Sequence, residues 1–508
     1  MLGLKRLRFV DIGTGLSMMF ATAGMLAASA LYAAEPVCTT TNGNCTQAGP
    51  GCNPQVFADA AARLNGLYAG LHADNCAAPA AAPMAGGPAC GSAAGGCAAA
   101  GGGGSDPAAI WTLTDLFTDE SGQNQLKDNG WKLGGSLAQS FTVNFDSPDN
   151  RWNGPVTWTD RSNEYQMNQF WLYAEKATDT SKSDWDFGGR VDALYGTNAR
   201  LTTSTGLETF NLNGSGIYGL ALPNLYAEVA YKKLKVKAGH FVSPVGYFTV
   251  DTSQNFFNTL PYTYQWGEPF THTGVLATYQ VSDELVVSSG AVRGWDNFDS
   301  HNPNWGYIGS WAYTFQDKSN LAQVTFLTQE PNFNNQFTQR YYQSLVYTKP
   351  INDNLTYVGQ SDFGTQADAT STGQRANWYG INQYMYYKTS DKWTWGANFE
   401  MWRDEEGYRV QQFLPGAAAS GITGNPNGVN NLPGGYMGNF YQATIGPRWY
   451  PTGKGNFFVR PNLRFDWFEG NINNTTQNAV SGANNQKPFD NGQKNHQGLF
   501  VTDVVLTF

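Results

Sequence analysis

From Trp131 to Phe508 apolar and polar residues alternate with a period of two, and the connections between alternating segments are by turns short and long. In WTWGANFEMW, Trp393, Trp395, Ala397, Phe399 and Met401 oppose Thr394, Gly396, Asn398 and Glu400. In FFVRPNLRFDW, Phe457, Val459, Leu463, Phe465 and Trp467 oppose Arg460, Asn462, Arg464 and Asp466. Leu133, Leu137, Phe141, Val143 and Phe145 likewise oppose Gly134, Ser136, Ser140, Thr142 and Asn144. Successive side chains of a β-strand point to opposite faces, so each segment is a strand with one apolar and one polar side. Segments near 165 to 174, 272 to 280 and 339 to 348 are compatible with either assignment of faces.

Strands are expected near 133, 165, 185, 224, 234, 272, 284, 305, 320, 339, 354, 376, 391, 438, 456 and 496. That is about sixteen, within a range of roughly 14 to 18. The short connections are EKATDTSKSD, YKK, VSDE, FQDKSN, TKPINDN, KTSDK and PTGKGN. The long ones cover 146 to 163, 196 to 222, 244 to 271, 297 to 304, 330 to 338, 364 to 375, 404 to 436 and 469 to 495. Tight turns at one end and long loops at the other imply an all-β fold, a transmembrane antiparallel up-and-down β-barrel with its turns facing the periplasm. Both ends of the barrel then lie on the tight-turn side. No later run reaches the 18 or so apolar residues of a spanning helix. Aromatics near strand ends, among them Trp393, Trp402, Trp449, Tyr450, Trp467 and Phe508, suit headgroup girdles. The competing reading, a soluble β-sandwich, would place them in a core.

A barrel of this size is wide enough to be hollow, whereas one of eight strands is filled by its own side chains. The polar faces predict a lumen lined by Arg190, Asp192, Glu228, Lys235, Lys237, Glu400, Arg448, Arg460, Arg464, Asp466 and Asp503. Charges of both signs suit a wet pore, and a salt-bridged, occluded interior is the alternative. Arg448, Arg460 and Arg464 form a ladder on two adjacent strands. Acids of a loop folded into the pore could face it and set up a transverse field. Loop 244 to 271 is the candidate, carrying Asp251 and Glu268. Whether it enters the pore or packs at the mouth is not encoded in period.

Ahead of the barrel, residues 1 to 33 combine Lys5, Arg6 and Arg8 with an apolar stretch and small residues, the pattern of a signal peptide; an uncleaved anchor is the alternative. Residues 34 to 76 are expected to form a periplasmic extension with a short helix, 77 to 110 an Ala/Gly/Pro-rich linker, 111 to 132 a pre-barrel segment and 133 to 508 the barrel. All six cysteines (Cys38, Cys45, Cys52, Cys76, Cys90 and Cys97) precede the barrel and are disulfide candidates in an oxidising compartment. CxxC spacing is absent, so no metal site is expected, and no cofactor is implied. A net charge of -9, from 31 basic and 40 acidic residues, gives no footprint for a nucleic-acid partner. The five histidines lie near no nucleophile motif, so no enzymatic activity is expected.

The stretches FTVNFDSPDNRWNGPVTWTDRSNEYQMNQFWLYAEK, WDFGGRVDALYGTNAR, VKAGHFVSPVGYFTV and PFTHTGVLATY resemble the putative beta-barrel porin-2 (OmpL-like) family. The likeness covers residues 133 to 280, more loosely the rest, and does not include the cysteine-bearing extension. It implies a channel in outer-membrane lipids, open to small solutes or ions, with no substrate or functional residue carried over. A homotrimer follows only by analogy with sixteen-stranded porins. The alternative is a barrel that anchors a disulfide-linked periplasmic extension. The final VTDVVLTF, with Thr502, Val504, Leu506 and Phe508 toward lipid and Asp503 toward the lumen, resembles the C-terminal signal read by the barrel assembly machinery.

Overall fold

The computed structural model describes residues 112–208, 217–299, 302–332, 334–370, 372–410, 435–453, 455–471 and 487–508. The expected signal peptide, extension, six cysteines and linker lie outside these residues. Described secondary structure starts with a 3-10 helix, Leu113–Phe117, and one helical turn, Gln125–Asp128, capped by the Asn124 side chain. The Thr114 hydroxyl donates to the Leu133 carbonyl and accepts from the Leu133 N–H, which fixes this segment at the start of the first strand.

Eighteen strand segments form one antiparallel sheet that closes on itself. They are β1 (Trp131–Asn144), β2 (Glu164–Lys176), β3 (Trp185–Gly196), β4 (Gly219–Ala221), β5 (Leu225–Tyr231), β6 (Leu234–Val242), β7 (Thr271–Gln280), β8 (Leu285–Val292) and β9 (Gly306–Thr314). Then follow β10 (Asn320–Pro331), β11 (Phe337–Pro350), β12 (Leu355–Gln366), β13 (Ala376–Ser390), β14 (Trp393–Asp404), β15 (Met437–Trp449), β16 (Phe457–Val459), β17 (Asn462–Asn471) and β18 (His496–Thr507). β4 and β5 both pair with β3 and are one stave interrupted around Pro223. β16 and β17 are likewise one stave, interrupted at Pro461, which has no N–H to give a ladder. The barrel therefore has sixteen staves, one at each expected position.

Alternation sets the two faces. On β14, Trp393, Trp395, Phe399 and Met401 are exposed, while Thr394, Gly396, Asn398, Glu400, Trp402 and Asp404 are buried. On β18, Phe500, Val504 and Leu506 face out, and Val501, Asp503 and Val505 face in. At the tight-turn ends, Trp185 packs against Tyr231 with ring centres 4.4 Å apart, and Trp393 stacks on Trp449 at 5.6 Å. Two expected girdle residues are elsewhere. Trp402 and Tyr450 are buried inside, Trp402 against Gly267 and Tyr450 against Phe458. Both stand an odd number of residues from an outward neighbour, Trp393 or Trp449, so alternation turns them inward whatever their distance from a strand end.

The seam joins β1 to β18 from Ser136↔Thr507 to Asn144↔Leu499. One further pair of hydrogen bonds links Phe508 to Gly135, N–H to carbonyl in both directions at 2.9 and 2.7 Å. The terminal ring lies so close to Gly135 that a Cβ there would come within 2.8 Å of it. Glycine at this position leaves room for the last aromatic ring beside the seam.

Candidate functional site

The chain between β6 and β7 does not pack at the mouth. Val245, Val250, Phe256, Phe257, Leu260, Tyr262, Tyr264, Trp266 and Phe270 are all buried, and their partners are inward side chains of the wall. At its tip the loop forms one turn of π-helix, Thr263–Gly267, preceded by Tyr262. The Glu400 carboxylate, inward on β14, accepts the Tyr262 and Thr263 N–H groups at 2.6 Å each. Asn382 on β13 donates to the Thr263 hydroxyl at 2.8 Å.

The three arginines of the ladder reach this loop through its backbone. Arg460 is ion-paired with Asp503 and donates to the Thr252 carbonyl (2.9 Å) and the Asn255 carbonyl (2.5 Å). Arg464 pairs with Asp466 at 2.7 Å and donates to the Leu260 carbonyl at 2.5 Å. Arg448 donates to the Asn255 carbonyl. Asp466 also accepts from Tyr262 Oη (3.1 Å) and Gln497 (3.0 Å). Buried ions need this degree of pairing and hydrogen bonding to offset their lost hydration. The ladder is therefore the fastening of the loop, with its charges spent on Asp503, Asp466 and peptide carbonyls.

A β-bulge supplies the opposite grip. The register of β1 against β2 slips between Ala138 and Gln139, where the extra residue Asn168 lets two successive side chains, Asn168 and Gln169, turn inward. Gln169 donates to the Val250 carbonyl at 2.7 Å and accepts from the Thr252 N–H at 2.9 Å.

Other long loops fold onto the same filling. The Trp266 indole donates to the Pro155 carbonyl, and Arg409 to the Trp266 carbonyl. Arg340 and Arg409 both lie over Trp295, at 4.6 and 4.9 Å from its ring centre, an arrangement in which aromatic faces take up buried cationic charge. In loop 293–305, Asp296 accepts from the Phe270 and Thr271 N–H groups at 2.8 and 2.9 Å. Burial nevertheless pushes its carboxyl up to about 7.

A cavity of about 570 Å³ lies against the β2–β8 wall. Arg190, Glu228, Lys235 and Lys237 of the expected lumen line it, and so does Asp251 of the loop. Lys232, Lys233 and Asp283 from tight turns line its tight-turn end. Arg190 is paired with Asp192 (2.7 Å) and Glu175 (3.5 Å), and Lys235 with Glu228 (3.9 Å). The remaining expected lumen residues, Asp192, Glu400, Arg448, Arg460, Arg464, Asp466 and Asp503, are inward-facing but buried. The two loop acids separate as well: Asp251 lines the cavity, while Glu268 is buried and accepts from Gln360 at 2.6 Å.

Sequence reasoning missed Glu175 and Tyr226 as lining residues and Gln169 as an anchor. Tyr226 shares its face with Glu228, so alternation could have found it. Glu175 and Gln169 lie on the stave whose bulge breaks the alternation.

A closed sixteen-stave barrel with an apolar outer band, aromatic belts and an interior of charged and polar groups defines an outer-membrane β-barrel of the porin type. The chain belongs to the family "Putative beta-barrel porin-2, OmpL-like", whose model matches residues 130–508. Similar solved structures include Pseudomonas putida OprB at high pH, with 13% identity and a TM-score of 0.45, covering 76% of this chain and 96% of that one. The outer membrane channel DcaP of Acinetobacter baumannii has 9% identity and a TM-score of 0.46 over 74% and 97%. Salmonella typhi OmpF in complex with daunomycin has 12% and 0.48 over 75% and 99%. No curated protein matches the chain.

Proposed function

We propose that the barrel is a passive, non-enzymatic channel for small hydrophilic solutes or ions, and that they move along the β2–β8 wall. The observation that carries this reading is the division of the lumen. Glu400, Arg448, Arg460 and Arg464 hold the loop against β14–β18, and the opposite wall carries a cavity lined by charged side chains that reaches the tight turns. Fixed charges of both signs beside the path would favour hydrated solutes over apolar ones. In this reading the N-terminal extension lies in the periplasm, because β1 starts at the tight-turn end, and homotrimeric assembly is carried over from other sixteen-stranded porins by analogy.

Purified, folded protein in a planar bilayer is expected to give stepwise conductance. Folded protein that inserts without steps would leave the barrel as an anchor for its extension instead.

A further inference from the structure

Lys237 sits on β6 with its side chain in the cavity. Its ammonium lies 4.8 Å from the centre of the Tyr226 ring and 5.6 Å from that of Phe241. Of the other cations that line the cavity, Arg190 is paired with Asp192 and Glu175, Lys235 with Glu228, and Lys232 with Asp184 at 3.5 Å, while Lys233 stands at the tight-turn end, four positions along the chain from Lys237. Glu228 stands directly across from Lys237 on β5, yet its carboxylate is turned to the Thr178 hydroxyl at 2.5 Å and to Lys235. Among the described residues no carboxylate comes within 4.0 Å of the Lys237 ammonium. A partly buried ammonium held between two aromatic faces keeps unmet capacity for hydrogen bonds and for negative charge.

The surroundings narrow the class of anion. A halide would meet the charge and leave the half-buried Tyr226 ring, packed beside the buried Phe241, in contact with water. A multiply charged anion would need a second uncompensated cation beside the first, and the nearest, Arg190 and Lys235, are already paired. A carboxylate on an apolar body satisfies both parts of the site. We propose that this cavity is a binding site for small organic monocarboxylates, with the carboxylate on Lys237 and the body against the Tyr226 ring. The proposal rests on the channel reading for its physiological sense, and it specifies which solutes that channel would favour.

Benzoate serves as the probe, with acetate, benzyl alcohol and benzylamine as companions that each lack one feature. Calorimetry on the folded full-length protein in detergent measures binding without reference to conduction. Benzoate is expected to bind more tightly than the other three. Lys237→Met should weaken it by about tenfold or more, the loss of one charge-assisted contact, while Lys237→Arg should keep most of it. Benzoate should also reduce the single-channel current of wild-type protein at millimolar levels and that of Lys237→Met far less. Equal binding of benzyl alcohol and benzoate, or benzoate binding unchanged in Lys237→Met, would overturn the proposal. Conductance steps with no benzoate binding would sink this site and leave the channel standing. Benzoate binding in a protein that gives no steps would do the reverse.

Discussion

Replacing Glu400 by alanine tests whether the loop is held in the barrel by the contacts described. The wild-type carboxylate accepts two loop N–H groups, from Tyr262 and Thr263, at 2.6 Å each in a buried setting. Alanine leaves both donors without that acceptor, and each unpaired buried donor costs about 1–3 kcal/mol. The sum centres on about 4 kcal/mol, close to a thousandfold in the balance between pinned and released tip. The loss is local. Asn382 and Gln442 pair with Glu400 through the ladder, which alanine retains, and Arg460, Arg464 and Gln169 still hold residues 250 to 260. The variant should keep the heat-modifiable gel mobility of a folded barrel. Chymotrypsin should cut faster at Tyr262, Tyr264 or Trp266, and the single-channel current should grow noisier. Glu400→Gln keeps one carbonyl oxygen to accept with and should fall between. Protease resistance and current indistinguishable from wild type in Glu400→Ala would refute this account of the anchor.

Asp251→Asn should move the reversal potential in a salt gradient toward anions, since it removes one acid from the cavity lining, whereas Glu268→Gln should leave it in place; the opposite ranking would put the path elsewhere. Deleting Phe508 removes the last pair of seam hydrogen bonds and should lower the amount of assembled barrel in cells more than the heat resistance of whatever assembles. Asp296 binds its proton more tightly in the folded state, so its contribution to stability is present below the usual carboxylate range and fades as pH rises through about 7. Asp296→Asn should therefore flatten the fall in thermal stability on going from about pH 5 to pH 8, and an unaltered slope would refute the assignment.

The wall was legible because each stave is squeezed between two solvents, lipid outside and polar lumen inside, and that contrast writes a period of two into the residues. It was hardest to read where the contrast fails. On β11, Gln339 and Gln343 face out while Arg340 and Ser344 face in, so polarity alone cannot choose the side. On β2, the bulge at Asn168 shifts the alternation by one residue midway. The same period turns the charged residues inward, but it carries no information on their roles. Arg460 reads identically whether it meets water or a peptide carbonyl, and its carbonyl partners lie more than 200 residues away in the chain. The division of Asp251 from Glu268 has the same origin, because it depends on where the loop lies.

The loop between β6 and β7 is fastened to β13, β14, β15 and β17, yet the sheet closes only when β18 meets β1, whose side chains Asn144 and Gln497 touch across 353 positions of sequence. The grip on this filling is complete only when the staves that carry Gln169, Glu400 and Arg464 all stand around it. Closure of the seam is the pairing with the greatest separation in sequence, and so carries the largest loop-closure entropy of any strand pairing described. The pairing of the first strand with the last thus sets the Gln169 grip and the Glu400 and Arg464 grips on opposite sides of one loop.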